Sequence, residues 1–396
     1  MVLYLDHTAK WSGGEIALLR TLEAVNRSRI TPVVLLGEDG PFADKLREVG
    51  IETHVLPLAE SSREVRKDSL GGGGLAGKTR AGLSFAGYAV RVAQFARKRG
   101  AALLHCNSLK ADIYGAVAGK LARIPVLWHV RDHIDPSYLP ARAVHLFRQF
   151  ARKLPDYVVC NSQSSLEKLF PGGVPVRARA VHDGLADREL TSPLPDLTGW
   201  KNNPPTVGIV GRLVEWKGQH VFLEAARKLR ESGVAARFLV IGAALFGEHD
   251  YEERLRVLAA PLGTHVEFLG FRADVPDLMR NLDVFVHASI TPEPFGQVVV
   301  EAMAEGVPVI ASDGGGVREI ITHGENGLLS PMGDADALAQ NLRDLLGNPT
   351  QAARLARAGY TRVRSQFTAG HTARALEAVY DEIWSARPPQ RRGGTK

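Results

Sequence analysis

The sequence has few cysteines and no apolar run long enough to cross a bilayer. Only two cysteines occur among 396 residues. Cys106 and Cys160 each end an apolar run and have no metal-ligand spacing, so we expect two buried, reduced thiols in a cytoplasmic protein. The most apolar stretch, Arg237–Phe246, is about half the ~20 residues that a spanning helix requires. The start, Met1–Asp6, lacks the basic residues and apolar core of a signal peptide and is interpreted as a strand.

The net charge of +6 is unevenly distributed. Residues 1–195 contain more lysine and arginine than acidic residues, whereas the remainder is slightly acidic. A basic first half favours an anionic partner, such as a phosphate-bearing acceptor, a membrane surface or nucleic acid. The 45% hydrophobic and 23% charged residues are typical of a globular protein, and the length suits two domains.

Short β-rich runs alternate with helical patterns, which is typical of parallel α/β units. Strands are predicted at Met1–Leu5, Pro32–Leu36, Thr53–Pro57, Ala102–Cys106, Pro125–His129, Tyr157–Cys160, Thr206–Val210, Arg237–Ile241, His265–Leu269, Val284–His287 and Val307–Ser312. Helices are predicted at Glu15–Val25, Phe42–Val49 and Tyr88–Arg99, among others. The alternation breaks at Leu190–Pro205, a segment with four prolines that is interpreted as a linker.

This break predicts an N-terminal domain at residues 1–195 and a C-terminal domain at residues 196–370. Both are expected to be doubly wound α/β domains that face each other across a cleft, where ligands bind at the carboxyl ends of the strands. The polar, glycine-rich segment Glu60–Gly82 is interpreted as a mobile loop, and residues 387–396 as a disordered tail.

The segment Val207–Gln219, with the sequence VGIVGRLVEWKGQ, carries two cations after a predicted strand. Arg212 supplies a planar fork and Lys217 a point charge, which together suit a diphosphate. The alternative is a pair of solvated surface cations.

The segment TPEPFGQVVVEAMA carries two glutamates, Glu293 in a turn and Glu301 on a predicted helix. At ~1.5 Å per helical residue their carboxylates would lie on the order of 10 Å apart, which suits the two ends of an extended ligand. The carboxyls of a retaining glycosidase lie only ~5 Å apart. The helix start at Phe295–Gln297 also offers N–H groups to an anion. The alternative is a pair of surface acids.

Taken in order, GRLVEWKGQ, FLGFRADVPDLM, PEPFGQVVVEAMAEGVPVIAS, GGVREI and NGLL resemble the retaining glycosyltransferases of the GT-B fold called family 4. The likeness covers most of residues 205–335. It is weaker in the first half, where the Gly13-Gly14-Glu15 turn and the strand ending at His129 match. The resemblance implies two Rossmann-like domains, with the donor bound mainly by the second and the acceptor mainly by the first. It also implies no metal and no other cofactor, and a C-terminal helix near 371–386 that packs on the first domain.

The resemblance implies roles for particular residues of these motifs. Arg212 and Lys217 would neutralise the leaving diphosphate, Glu301 would bind the ribose, and Glu293 would hold hydroxyls of the transferred sugar. Backbone groups would supply further donor contacts at Phe271, Arg272, Phe295, Gly296 and Gln297. The expected donor is a UDP- or GDP-sugar, and the acceptor is unknown, with an anionic or lipid-linked molecule as a candidate.

Two residues at the start of the first predicted helix, Gly13 and Gly14, could let a phosphate or an anionic acceptor approach the backbone. A plain turn is the alternative. His129 ends a predicted strand, and a lone histidine there is more often structural. The resemblance suggests instead that it contacts the donor sugar or stabilises a cationic transition state.

A separate motif, GGGLAGKT at Gly72–Thr79, satisfies the phosphate-loop pattern of many ATPases. That loop needs a buried strand before it, and the preceding SSREVRKDSL is polar and charged, so we interpret the match as chance. The basic amphipathic segment Leu139–Leu154 would suit either an anionic membrane surface, on the cytoplasmic side, or packing on the domain core.

The resemblance implies retention of configuration without a metal. Because no second carboxylate lies close enough to act as a nucleophile, retention predicts front-face substitution. Arg212→Ala or Lys217→Ala is expected to lower turnover at least a hundredfold while the fold stays intact. The nearest alternative is a GT-B-fold nucleotide-sugar 2-epimerase. A non-catalytic nucleotide-sugar or nucleic-acid binder and a phosphate-loop ATPase are more remote, and the paired glutamates oppose a nucleic-acid partner.

Overall fold

The computed structural model describes residues 1–59, 75–245 and 247–386. Within them the chain forms two compact units, residues 1–186 with the segment from Ala369 onward, and Asp187–Thr368. Each unit is built on one sheet in which every strand pair is parallel. The predicted tail at 387–396 and residues 60–74 of the predicted loop lie outside the described residues.

The first unit has a seven-stranded sheet in the order β3-β2-β1-β4-β5-β6-β7. Its strands are β1 (Val2–Asp6), β2 (Pro32–Leu36), β3 (Glu52–Val55), β4 (Leu103–Cys106), β5 (Val126–Val130), β6 (Tyr157–Cys160) and β7 (Ala178–Ala180). Its helices are α1 (Gly13–Ala24), α2 (Pro41–Glu48), α3 (Leu75–Lys98), α4 (Leu109–Ala122), α5 (Ala141–Lys153) and α6 (Gln163–Leu169). The apolar strands are buried on both faces, as a parallel sheet covered by helices requires.

The second unit has a six-stranded sheet in the order β10-β9-β8-β11-β12-β13. Its strands are β8 (Thr206–Val210), β9 (Arg237–Ile241), β10 (Val266–Gly270), β11 (Val284–His287), β12 (Val309–Ser312) and β13 (Leu328–Ser330). Its helices are α7 (Gln219–Glu231), α8 (His249–Ala259), α9 (Val275–Arg280), α10 (Gln297–Ala304), α11 (Val317–Ile320), α12 (Ala335–Leu346) and α13 (Pro349–Gln366). The predicted pair of Rossmann-like parallel α/β domains is therefore confirmed.

A last helix, α14 (Ala369–Ser385), belongs to the first unit. It covers the face of the first sheet that carries Tyr4, and Leu376 and Tyr380 are fully buried there. Asn26 at the end of α1 donates its backbone N–H to Glu377 at 2.8 Å, which ties α14 to α1.

One prediction about local structure needs correction, and two short strands were missed. The loop predicted at Glu60–Gly82 is wrong from Leu75 onward, because α3 begins there. The helix thus begins before Lys78, whereas a phosphate loop would end and its helix begin at that lysine. The edge strands β7 and β13 were not predicted, because three residues are too few for an alternating pattern to show.

Both cysteines are free and buried, as predicted. No helix in the described ranges combines the length and the apolar character needed to cross a membrane. The basic helix α5 turns Val144, Phe147 and Ala151 into the core, and Phe147 packs against Trp128 with ring centroids 5.2 Å apart.

Candidate active site

The carboxyl ends of the second unit's parallel strands meet at one edge of the sheet, where doubly wound folds bind ligands. The segments that follow β8 and β11 carry most of the predicted donor-site residues. They are held together by a backbone hydrogen bond of 2.9 Å from Ile290 N–H to the carbonyl of Trp216. Gly218 has φ +71°, and a Cβ there would lie 1.9 Å from the carbonyl oxygen of Ala288. Only glycine therefore lets the cationic segment approach β11 this closely.

Glu293 lies in the segment that follows β11, and its side chain is buried. Its Oε1 accepts from Lys217 Nζ at 2.6 Å and contacts His287 Nε2 at 2.8 Å. Ser289 Oγ donates to the same oxygen. Burial alone would raise the pKa of the Glu293 carboxyl, but the charges and hydrogen bonds of Lys217 and His287 hold this pKa well below its ordinary value. The site thus contains a carboxylate that is kept ionised inside the protein.

The backbone of Glu293 is fixed by the glycine run after β12. Gly316 N–H donates to the Glu293 carbonyl at 2.9 Å, and Gly315 forms an isolated bridge with Glu293. Gly315 has φ +64°, and a Cβ there would lie 2.1 Å from the Glu293 carbonyl oxygen. The GGV part of the GGVREI motif is thereby explained, because any side chain would push the acidic turn away.

The helix start after Glu293 is also fixed by packing. Phe295 is buried and lies 5.9 Å from the ring of Phe367. Gly296 has φ +111° at the N-cap of α10, whose first residue is Gln297. Glu301 is half-buried on this helix. The predicted residues of the acidic segment therefore share one turn and one helix, and Glu293 in that turn contacts Lys217.

The remaining predicted residues of this unit lie farther from the Lys217–Glu293 pair or have other partners. Arg212 follows β8, but its guanidinium pairs with Glu248 at 3.4 Å. Phe271 follows β10 and is 72% exposed, and Arg272 is held by Asp274 through bonds of 2.8 and 2.6 Å. Arg212 follows β8, and Phe271 and Arg272 follow β10, so all three come after the carboxyl ends of strands of the same sheet.

The predicted residues of the first unit belong to a separate polar network. Gly13 and Gly14 begin α1, and the Gly14 carbonyl accepts from Asn107 Nδ2 at 3.4 Å. The same amide donates to Asp6 at 2.8 Å. Burial and the charge of Asp6 raise the pKa of the Glu15 carboxyl to about 7. Two carboxyls thus lie near a helix start that was predicted to accept an anion.

His129 lies inside β5 and its side chain is fully buried. Its Nδ1 contacts His105 Nε2 at 3.1 Å and Arg131 Nη2 at 3.4 Å, and Arg131 pairs with Asp183. Burial lowers the pKa of His129 well below its ordinary value, and the charge of Arg131 lowers it further. The imidazole is therefore neutral near pH 7.

Several of these partners were not predicted. They include His287, Ser289, Glu248, Asp6, Glu15, Asn107, His105, Arg131 and Asp183. Some had a signal in the sequence, because polar residues two apart at a strand end share one face of the sheet. His287 with Ser289 and His129 with Arg131 follow this spacing.

Among residues 1–59, 75–245 and 247–386, no group of three histidine, cysteine or acidic side chains is arranged to hold a metal ion.

Two family models match the chain. Residues 195–362 match the family described as Glycosyl transferases group 1. Residues 12–184 match the Glycosyl transferase 4-like domain. The first match covers most of the second unit, and the second match covers most of the first unit.

Relatives and solved structures agree with these matches. The chain is 27% identical over 235 residues to the lipopolysaccharide core biosynthesis glycosyltransferase LpsE of Rhizobium meliloti, covering 59% of this chain and 65% of that protein. It is 37% identical over 206 residues to a phosphatidyl-myo-inositol mannosyltransferase of Mycobacterium leprae, covering 51% and 53%. The matched region thus spans about half to two thirds of these curated relatives. Anabaena HepE, solved with UDP and glucose, superposes with a TM-score of 0.79 at 28% identity, over 98% of this chain and 99% of HepE.

Proposed function

The chain belongs to the group 1 glycosyltransferases with a 4-like first domain, and from that premise we propose that it transfers a sugar from a nucleotide-diphosphate sugar to an acceptor hydroxyl. A UDP-sugar is the first donor to test, because HepE was solved with UDP and with UDP-glucose. A GDP-sugar is the second candidate.

The observation that carries this proposal is the buried, ionised Glu293 beside Lys217. All three side-chain donors meet Oε1 of Glu293, so we assign Oε2 to hydroxyls of the transferred sugar. A carboxylate whose position is already fixed accepts such hydrogen bonds without a further reorganisation cost. Hydrogen bonds to a charged group are also about twice as strong as neutral ones.

The cations that follow β8 suit the leaving group. Lys217 Nζ and the Arg212 guanidinium both follow β8, and the start of α10 adds backbone N–H groups. Positive charge placed where a diphosphate leaves stabilises the transition state. We assign the charge neutralisation to these groups, which makes a divalent ion unnecessary. Glu301, half-buried on the same helix, takes the donor ribose in this arrangement.

We extend the proposal to front-face substitution with retention of configuration, because the sequence resembles retaining enzymes and Lys217 already engages the Glu293 carboxylate. The β-phosphate oxygen of the donor accepts the proton of the attacking hydroxyl while the bond from the sugar carbon to the phosphate oxygen breaks. The new glycosidic bond forms on the same face, and the nucleoside diphosphate leaves with the electron pair of the broken bond. The Glu293 carboxylate, already paired with Lys217, holds the sugar and does not act as the nucleophile.

An anionic or lipid-linked acceptor suits the basic first half. The helix α5 uses part of its charge inside the protein, since Arg148 donates to the carbonyls of Ile134 and Lys168 at 2.8 and 2.6 Å. Contact with an anionic membrane surface would therefore rest on its other cations, such as Arg142 and Lys153. Co-flotation with vesicles of anionic phospholipid tests this part, and loss of flotation in Arg142→Glu/Lys153→Glu is the expected result.

The main test compares two glutamate variants of the second unit. Glu293→Gln removes the proposed sugar ligand and keeps the side-chain shape. Glu305→Gln is a matched control, because Glu305 is also buried and ion-paired, to Arg280 at 2.8 Å, but caps the far end of α10. UDP-, GDP- and ADP-sugars are first screened by thermal stabilisation in the presence of EDTA. Nucleotide release with each stabilising donor is then measured with a panel of acceptors.

We expect Glu293→Gln to lose at least a hundredfold in turnover, which corresponds to about 3 kcal/mol of transition-state stabilisation. Glu305→Gln should stay within a few fold of the unchanged protein. Equal activity of the two variants would refute the sugar-binding role of Glu293. Incubation with donor alone separates the epimerase alternative, because an epimerase would convert the free donor to its C2 epimer.

A further inference from the structure

A continuous chain of side-chain hydrogen bonds crosses the buried face of the first sheet. Tyr4 OH lies 3.1 Å from Tyr380 OH, and Tyr380 OH lies 2.7 Å from His105 Nδ1. His105 Nε2 lies 3.1 Å from His129 Nδ1. All four side chains are fully buried, so none of these groups can exchange its partner for water. The chain connects the C-terminal helix α14 to the predicted site histidine.

Such a chain can run in two directions. In one, each group donates towards His129, and His129 Nδ1 accepts. In the other, each group donates towards Tyr4, and His129 Nδ1 carries the proton. Tyrosine hydroxyls and neutral imidazoles can both donate and accept, so these four groups alone permit either direction.

Arg131 selects one of these two directions, because a guanidinium can only donate hydrogen bonds. Its Nη2 lies 3.4 Å from His129 Nδ1, and its charge also opposes a proton on that nitrogen. The guanidinium is fixed by Asn107 Oδ1 at 3.0 Å and by Asp183. His129 Nδ1 must therefore accept, and the remaining proton of the neutral ring lies on Nε2.

His129 Nε2 is buried and has no hydrogen-bond partner among the described residues. An unsatisfied buried donor destabilises a fold, and native proteins retain such groups mainly where a function needs them. His129 is the fourth of the five residues of β5, one position before the carboxyl end of the strand, the end of a parallel strand at which ligands bind in doubly wound folds.

We propose that Arg131 is a positioning residue that locks His129 in its Nε2–H tautomer, so that His129 acts as a fixed neutral hydrogen-bond donor to a ligand oxygen. It cannot act as a base, because its one acceptor nitrogen is already occupied. An N–H donor suits the lone pairs of a sugar hydroxyl and does not suit a positively charged ring carbon. Of the two roles predicted for His129, this favours the sugar contact, a step that rests on the proposed function.

The tautomer itself does not depend on that function and can be measured on the ligand-free full chain. Two-bond ¹H–¹⁵N correlation spectra of protein with ¹⁵N-labelled histidine distinguish a protonated Nε2 from a protonated Nδ1. His129→Gln and His105→Gln assign the two signals. We expect both rings to be neutral with the proton on Nε2 at pH 7.5. A proton on Nδ1 of His129, or a charged ring, would overturn the proposal and leave the transferase assignment untouched.

A variant pair then tests the part of Arg131. Arg131→Met with Asp183→Asn removes the fixed donor without leaving a buried carboxylate unpaired, and we expect a substantial Nδ1–H population at His129. Tyr4→Phe is the matched control, since it removes a hydroxyl from the same hydrogen-bond chain but leaves Tyr380 able to donate. The tautomer of His129 should not change in this variant. An unchanged Nε2–H tautomer in the folded double variant would refute the role of Arg131. If the double variant does not fold, the spectrum of the unchanged protein still decides the tautomer.

Discussion

Replacing Lys217 by methionine should destabilise the second unit as well as abolish turnover. Lys217 Nζ lies 2.6 Å from the Glu293 carboxylate, and the two side chains are 17% and 7% exposed. At an effective dielectric constant of about 20, two unit charges at this distance attract by about 6 kcal/mol before desolvation is counted. Lys217→Met leaves the carboxylate buried with only His287 and Ser289 as donors. Breaking a buried pair on one side costs roughly 3–5 kcal/mol, and we expect about 3 kcal/mol here because those two donors remain.

This expectation revises the sequence-based one, in which truncation at Lys217 left the fold intact. A double-mutant cycle with Glu293→Gln isolates the pair, since Lys217→Met/Glu293→Gln removes both charges together. The double variant should be more stable than the sum of the single losses predicts by at least about 1.5 kcal/mol. Urea unfolding is followed by tryptophan fluorescence and by circular dichroism together, because a two-domain chain need not unfold in one step.

Arg212→Met provides the matched control for stability. Its partner Glu248 is at 3.4 Å and the two side chains are 30% and 22% exposed, so the loss should stay below about 1 kcal/mol. If Lys217→Met were as stable as Arg212→Met, or if the cycle were additive, the buried pair would not be the strong interaction that the geometry indicates.

Three further predictions concern charge and pH. Arg212→Met should lower turnover at least a hundredfold although its stability barely changes, as nucleotide-release kinetics will show; a loss smaller than threefold would remove it from the diphosphate site. Turnover should survive EDTA, and a requirement for added magnesium or manganese would contradict the assignment of charge neutralisation to Arg212 and Lys217. His129 has a folded pKa well below 6.5, so the unfolded chain takes up a proton that the folded chain does not, and stability falls as the pH falls below about 6.5. His129→Gln should therefore reduce the slope of unfolding free energy between pH 6.5 and 5 by up to about 1.4 kcal/mol per unit, and an unchanged slope would show that the ring is charged in the fold.

The fold could be predicted because strand patterns in this chain are strong. Runs such as Pro32–Leu36 and Val284–His287 are continuous apolar segments bounded by polar turns, and the structure places strands at both. The region before Tyr88 was misjudged for the opposite reason. Its glycines and charges favour a loop locally, yet α3 extends back to Leu75. Local composition therefore placed the start of this helix too late, and element boundaries are the part of a sequence-based prediction that local patterns define least well.

The candidate site was predictable only where residues follow one another closely in the chain. Lys217 and Glu293 were found from strand ends and family motifs. The partner of Arg212 was not, because Glu248 comes from the segment after β9, and contacts between loops of different strands leave no periodic signal. The chain from Tyr4 to His129 needs both a helix from the end of the sequence and three neighbouring strands. Its residues become neighbours only once the sheet order is known.

A structure of the protein with bound donor would show directly whether Lys217, Arg212 and Glu293 form the donor site. The nucleotide sugar that stabilises the chain most strongly in EDTA would be used for co-crystallisation. We expect the diphosphate to lie within hydrogen-bonding distance of Lys217 and Arg212, and a sugar hydroxyl to donate to Oε2 of Glu293. A donor bound elsewhere, or a sugar that makes no contact with Glu293, would contradict this expectation.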